Sequence, residues 1–250
     1  MLEMASLPLA YACLCVFLAA IVRGYSGFGF SLLSITALSI MFAPAEIMPS
    51  IFMLEIAASL HLLPSVWKDI HWPSLMPLII GCLIATPIGV WLLANVAPAP
   101  MQLAISIFVL IAAGLMAMGF ALKSMPGRIA TTVVGAASGL ANGAFGMAGP
   151  PVVLFYFASP AGHAAGRASL IAFFLSTDVI GLANQAPHGL VTMDSAIRAA
   201  AFLPTMLVGN WLGARGFKSA NPDSFRRWVL LLLAVLAVIV GIRAVLRLQV

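Results

Sequence analysis

The sequence predicts an all-α integral membrane protein, with about ten hydrophobic helical elements arranged in two inverted repeats. Three observations carry that expectation. Of 250 residues 63% are hydrophobic and 8% charged, far from the near-even apolar share and quarter-charged make-up of soluble domains. The apolar runs, at about 20 residues per crossing, leave almost no chain for a water-soluble domain. The two halves also repeat one another's punctuation.

Bounded by polar and Pro/Gly residues, the elements span 7–22, 29–43, 47–66, 73–95, 101–122, 129–142, 148–159, 165–186, 195–214 and 227–247. The first is preceded by Glu3 and by no Lys or Arg, so it lacks the positive start of a cleavable signal and belongs to the mature fold. The second follows the glycines at 24, 27 and 29. The third follows Pro44 and carries Glu55 and His61, and the fourth runs from beyond Lys68 to the turn holding Pro98 and Pro100. The fifth closes before Lys123 and Pro126, and the sixth opens after Arg128. The seventh contains Pro150 and Pro151. The eighth opens on Arg167, carries Asp178 and closes before Pro187, the ninth ends near Arg215, and the tenth follows Pro222 and Arg226. Every element reads as helix, because a membrane barrel requires short alternating strands. Cys13, Cys15 and Cys82 lie inside apolar runs without metal or redox spacing and read as small core residues.

Gly24 and Gly27 match Gly143 and Gly146 at an offset of 119 residues, Ser50 matches Ser169 at the same offset, and Gly89 with Trp91 matches Gly209 with Trp211 at 120. The expected repeats are 1–125 and 126–250. Basic residues orient them. Lys68, then Lys123 with Arg128, then Arg215, Lys218, Arg226 and Arg227 fall in loops on one side, which the positive-inside rule makes cytoplasmic. The net charge of +5 is therefore topological and does not point to nucleic acid. Both termini are expected outside, in a multi-pass protein of the inner or plasma membrane, and five elements per half make the repeats inverted. The first two elements of each half are short and are either spans or re-entrant half-helices; the sides of later loops are the same in both cases.

Two glycine-rich breaks interrupt the helices, Arg23-Gly24-Tyr25-Ser26-Gly27-Phe28-Gly29 and Asn142-Gly143-Ala144-Phe145-Gly146-Met147-Ala148-Gly149. Non-helical backbone at membrane depth survives only where protein or a wet cavity satisfies it, and half-helix N-termini aim N–H groups and positive dipole ends at anions. The expected anion site therefore comprises Arg23, Gly24, Ser26, Gly27, Gly29, Asn142, Gly143, Gly146 and Gly149, joined by Arg167 near a helix start. The competing reading is that the glycines permit close helix contact. Glu55 and Asp178 are acids within apolar elements and candidates for proton coupling. Asn184, Gln185 and Asn210 either join helices or line a path.

The glycine motifs opening both halves, Gly149-Pro150-Pro151 followed by Val152-Val153-Leu154 and aromatics, and Arg167-Ala168-Ser169-Leu170 resemble the sulfite exporter TauE/SafE family of membrane transporters, over nearly the whole chain. The resemblance implies movement of a sulfur oxyanion such as sulfite or a sulfonate. Gly24-Tyr25-Ser26-Gly27 also spells the GxSG signature of rhomboid proteases, but the second break has Phe145 at the serine position, so the glycine geometry is what is duplicated. No cofactor, metal or phosphate-loop motif is present. The expected partners are a small anion and the lipid bilayer, and a homo-oligomer is compatible with this plan. An anion channel or a membrane subunit of a larger complex are the rival readings. The topology is testable: a reporter fluorescent only in the cytoplasm should stay dark when fused after Val250 and glow when inserted near Lys123, and a bright C-terminal fusion contradicts the ten-element plan.

Overall fold

The structure, a computed structural model, describes residues 6–118, 124–158, 163–216 and 222–248. Among them are ten α-helices and no strand: α1 (Ser6–Ser26), α2 (Phe30–Leu38), α3 (Pro44–Val66), α4 (Trp72–Asn95), α5 (Pro98–Met118), α6 (Arg128–Phe145), α7 (Gly149–Ala158), α8 (His163–Gln185), α9 (Met193–Gly216) and α10 (Pro222–Leu248). Glu3, Lys123 and Lys218, on which the orientation draws, lie outside the described residues, as do the side chains of Ser26, Arg226 and Arg227. Six helices, α1, α3, α4, α5, α8 and α10, are long and apolar enough to cross a membrane. Their outer faces match that solvent. Ile80, Leu83, Ile84, Ile88 and Trp91 line one exposed face of α4, whereas Thr86, Gln102, Ser138 and Asp178 are buried.

Proline sets several starts: α3 and α4 carry one in their first turn, where the missing N–H costs no helical bond. The residue before Pro44, Ala43, is extended (φ −69°, ψ 136°), as proline demands of its predecessor. Helix α2 ends at Leu38, five residues short of the expected 43, and residues 39–42 form a turn.

The chain reverses at Gly27 and Gly29, both at positive φ (81° and 91°), which glycine adopts without a Cβ penalty. Helix α2 then folds back along α1 until Tyr11 donates its hydroxyl to the Ala37 carbonyl at 2.6 Å. The second reversal, at Gly146 (φ 68°), sends α7 back along α6, and Tyr156 meets the Ser74 hydroxyl in the first turn of α4 at 3.0 Å. The short member of each pair is therefore the second, α2 with 9 residues and α7 with 10, while α1 and α6 have 21 and 18. Both first helices run on through Arg23-Gly24 and Asn142-Gly143 because those glycines keep helical backbone and pack against neighbours.

That packing sets the bundle's geometry. Gly135, Gly139 and Gly143 of α6 lie on the backbone of Leu78, Cys82 and Thr86 of α4 so closely that a Cβ would overlap it, and Gly81 and Gly89 face them in return. The register advances in the same sense along both helices, so α4 and α6 are parallel. Helices α1 and α9 pair in the same way, through Gly24, Gly209 and Gly213. Small residues in such rows let backbones touch in membranes. Helices α3 and α8 cross the centre antiparallel, with Gly181 against the Phe52 ring. Helix α5 pairs with α10, where Ser106 donates to the Ala237 carbonyl at 2.6 Å. The starts of α3 and α9 are tied by Ser50 donating to the Ser195 carbonyl (2.8 Å). At the other end the His71 N–H donates to the Ser169 hydroxyl (3.0 Å). The α1–α2 hairpin thus runs inward from the end where α3 and α9 begin, and the α6–α7 hairpin from the opposite end, where α4 begins.

Candidate functional site

Both hairpin tips are built from helix ends that close on a left-handed glycine. Gly27 donates its N–H to the Arg23 carbonyl at 2.7 Å. Gly146 donates to the Asn142 carbonyl at 2.8 Å, and Met147 to the Ala141 carbonyl at 3.3 Å, a Schellman-type termination. These closures fix Arg23 on the last turn of α1 and Asn142 on the last turn of α6.

Arg23 is only 3% exposed. Its Nη1 donates to Glu55 Oε1 at 2.5 Å and its Nη2 to Ser59 Oγ at 3.0 Å, both on α3. Its Nε, also buried, has no partner among the described residues. Asp178 of α8, 1% exposed, lies within hydrogen-bonding reach of Glu55 and within the field of Arg23, while its Oδ2 has no partner among the described residues. One residue away, the Thr177 carbonyl accepts the Asn142 side-chain amide at 2.8 Å. Five polar side chains from α1, α3, α6 and α8 thus meet in the protein's interior. An ion pair there is held by its geometry, because removing either partner leaves a charge with no solvent to answer it.

Glu55 also faces a cavity of about 10 Å³, the room of about one water. Gly29 and Leu32 enclose it from the N-terminal turn of α2, Gly149 and Pro150 from that of α7, Phe174 from α8 and Met116 from α5. Both half-helices therefore present their positive ends to one space. They differ in donors: α2 begins Phe30-Ser31-Leu32, whose N–H groups have no partner within the helix, whereas Pro150 and Pro151 leave α7 fewer N–H groups in its first turn.

The expected site residues divide by place. Gly29, Gly149 and Glu55 line the cavity, with Arg23, Asp178 and Asn142 directly behind Glu55. Arg167 is exposed on α8, its Nε beside Gly27, and its guanidinium has no partner among the described residues. Gly146 sits against Ile35 and Met48, and Gly24 and Gly143 face α9 and α4 rather than the cavity. The side chain of Ser26 lies outside the described residues. Asn184 bonds its own helix through the Ile180 carbonyl (2.8 Å), Gln185 is buried with both amide atoms unpartnered among the described residues, and Asn210 lies on the α1–α9 contact beside Gly24. Ser59, Phe174 and Met116 were not singled out by sequence, and Pro150 was named only as part of the Gly149-Pro150-Pro151 motif. Ser59 carried a signal, since it lies one helical turn after Glu55 on the same face. Phe174 and Met116 carried none that distinguishes them from core.

Comparison with known proteins adds an independent finding. The family model described as Sulfite exporter TauE/SafE matches residues 12–240. A curated protein of Cupriavidus necator, described as a probable sulfite/organosulfonate exporter TauE, is 26% identical over 213 residues, covering 82% of each chain. No solved structure matches.

The ion pair makes a stability prediction. Arg23→Ala should lower stability in detergent by about 3–5 kcal/mol by leaving a buried carboxylate unpaired, and adding Glu55→Ala should recover much of the loss. Thermal unfolding of the single and double variants measures this; an Arg23→Ala protein as stable as the parent would show that the pair does not hold the core.

Proposed function

The chain belongs to the sulfite exporter TauE/SafE family, and on that premise we propose that it carries a small sulfur oxyanion, sulfite or a sulfonate, across the cytoplasmic membrane, coupled to a proton gradient. Its family is one of transporters, so the chain is a membrane transporter and not an intramembrane protease. The observation that supports the anion reading is the convergence of two half-helix N-termini on one cavity, with the Arg23 guanidinium directly behind the Glu55 that lines it, an arrangement of the kind that transporters built from broken helices use for anionic groups. The substrate class follows the relative's description as a probable sulfite/organosulfonate exporter.

At about 10 Å³ the cavity admits no oxyanion as it stands. It must open to one face to fill, which favours alternating access over an open channel. Residues 1–125 and 126–250 serve as the two inverted repeats in this reading. Support comes from matched helix pairings, α1 with α9 and α6 with α4, α1 with α2 and α6 with α7, α2 with α3 and α7 with α8, and from the hairpins' opposite directions. The halves are not equivalent at the site: at the offset of 119, Arg23 corresponds to Asn142, Glu55 to Phe174 and Ser59 to Asp178. Charge is thus placed on one half's α1 and α3 and on the other's α8. Arg167, beside Gly27 and facing outward, provides a first cationic contact for an arriving anion.

Purified protein in liposomes, offered sulfite, thiosulfate, alkylsulfonates, sulfate and small carboxylates under imposed pH gradients, tests the reading. Sulfur oxyanions should accumulate in response to the gradient and Arg167→Ala should slow their uptake several-fold. Accumulation of carboxylates alone, or no response to any gradient, contradicts it.

A further inference from the structure

The cavity already holds an anion of the protein's own. Glu55 stands where three attractions for negative charge meet: the Arg23 guanidinium at 2.5 Å, the N-terminus of α2 at Gly29 and that of α7 at Gly149. A carboxylate and a sulfonate or sulfite ask the same of a guanidinium, namely two acceptor oxygens in one plane. Both cannot have Arg23 at once.

We propose that Glu55 is a tethered stand-in for the transported anion, giving up Arg23 to substrate only when a proton neutralises it, so that one proton binds with each monovalent anion. This rests on the reading of the cavity as the substrate site and assigns the coupling to Glu55 rather than to Asp178. Charge counting supports it. The groups facing Glu55 are Arg23 from α1, Ser59 on its own helix and Asp178 from α8, with the Asn142 amide of α6 beyond Asp178 and the Cys82 thiol of α4 within the field of Asp178. Helices α2, α5 and α7 bring only Ser31 and apolar groups, and the acidic and basic residues of α9 stand near its ends. Arg167 stands outside this set, beside Gly27. One guanidinium against two carboxylates leaves one negative charge over, and the proton that removes it stays on Asp178, which makes no ion pair and leaves its Oδ2 unpartnered among the described residues, so that Arg23 and Glu55 balance one another at rest. Adding a monovalent anion keeps it neutral only if a second proton arrives, and a net charge in this interior is costly. The two protons then sit on Glu55 and Asp178, and the anion takes the guanidinium. When the proton leaves Glu55 on the other side of the membrane, its carboxylate returns to Arg23 and expels the anion.

Methanesulfonate is the probe, because its own charge stays fixed across the pH range and any proton taken up belongs to the protein. The full-length protein in detergent is titrated with it at several pH values, following affinity by calorimetry and proton uptake with an indicator in weak buffer. On the alkaline limb affinity should fall about tenfold per pH unit, with about one proton taken up per anion, the two effects being reciprocal. Glu55→Gln should bind methanesulfonate at high pH about as tightly as the parent does at low pH, with no pH dependence and no proton uptake. Asp178→Asn should still take up one proton, and this holds the proposal to account even where Glu55→Gln fails to fold. Parent protein that binds methanesulfonate without taking up a proton overturns the coupling while leaving the anion site standing. The coupling is equally overturned by a folded Glu55→Gln that keeps proton uptake or loses the anion, or by an Asp178→Asn protein that loses the uptake. A folded parent that binds no methanesulfonate at any pH overturns the substrate reading and this inference with it.

Discussion

Arg23 stands on the last turn of α1 with 3% of its surface exposed, and a guanidinium at that depth in a bilayer protein has to be neutralised where it stands. Glu55 does so, and the pair dictates much of what surrounds it. The α1–α2 hairpin must bring its tip against the middle of α3, because Glu55 is the twelfth of that helix's 23 residues. Helix α8 must then cross close enough to place Asp178 in the same field, which it does with Gly181 packed on Phe52 where any side chain would overlap the ring. The polar core and the close packing are thus one requirement.

Glycine has two separate uses in this chain, and they are divided between positions a few residues apart. Gly24 and Gly143 keep helical backbone and let α1 and α6 lie on the backbones of α9 and α4. Gly27, Gly29 and Gly146 take positive φ and turn the chain back. The packing use holds the outer helices in parallel pairs, and the turning use opens two helix N-termini toward the cavity. The packing explanation weighed for the motifs holds for Gly24 and Gly143, whereas Gly29 and Gly149 are the glycines that stand at the cavity.

Much of the fold was legible because apolar runs and proline punctuation are local signals. All ten elements and their order follow from them, and most boundaries fall within three residues. The largest misses, about five residues, are the end of α2 and the start of α10, and at the breaks α1 and α6 run on past the expected ends, because the sequence cannot tell a glycine that packs inside a helix from one that ends it, since the distinction lies in which neighbouring backbone is present. At the site, the unusual residues Arg23, Glu55 and Asp178 stood out by their cost in an apolar run. That they form one cluster did not, because the separations of 32 and 123 residues are closed only by the crossing of α3 and α8. Arg23 was expected to hold an anion directly; its pairing with Glu55 makes the protein's own carboxylate the resident.

The proposed cycle is an exchange of partners at one guanidinium, behind a cavity where two helix ends favour negative charge whichever anion supplies it. A structure of the protein with bound methanesulfonate at acidic pH tests this most directly. The account predicts the sulfonate between the N-termini at Gly29 and Gly149, contacted by an Arg23 guanidinium that has left Glu55. An anion bound elsewhere, with the Arg23–Glu55 pair intact, would contradict it.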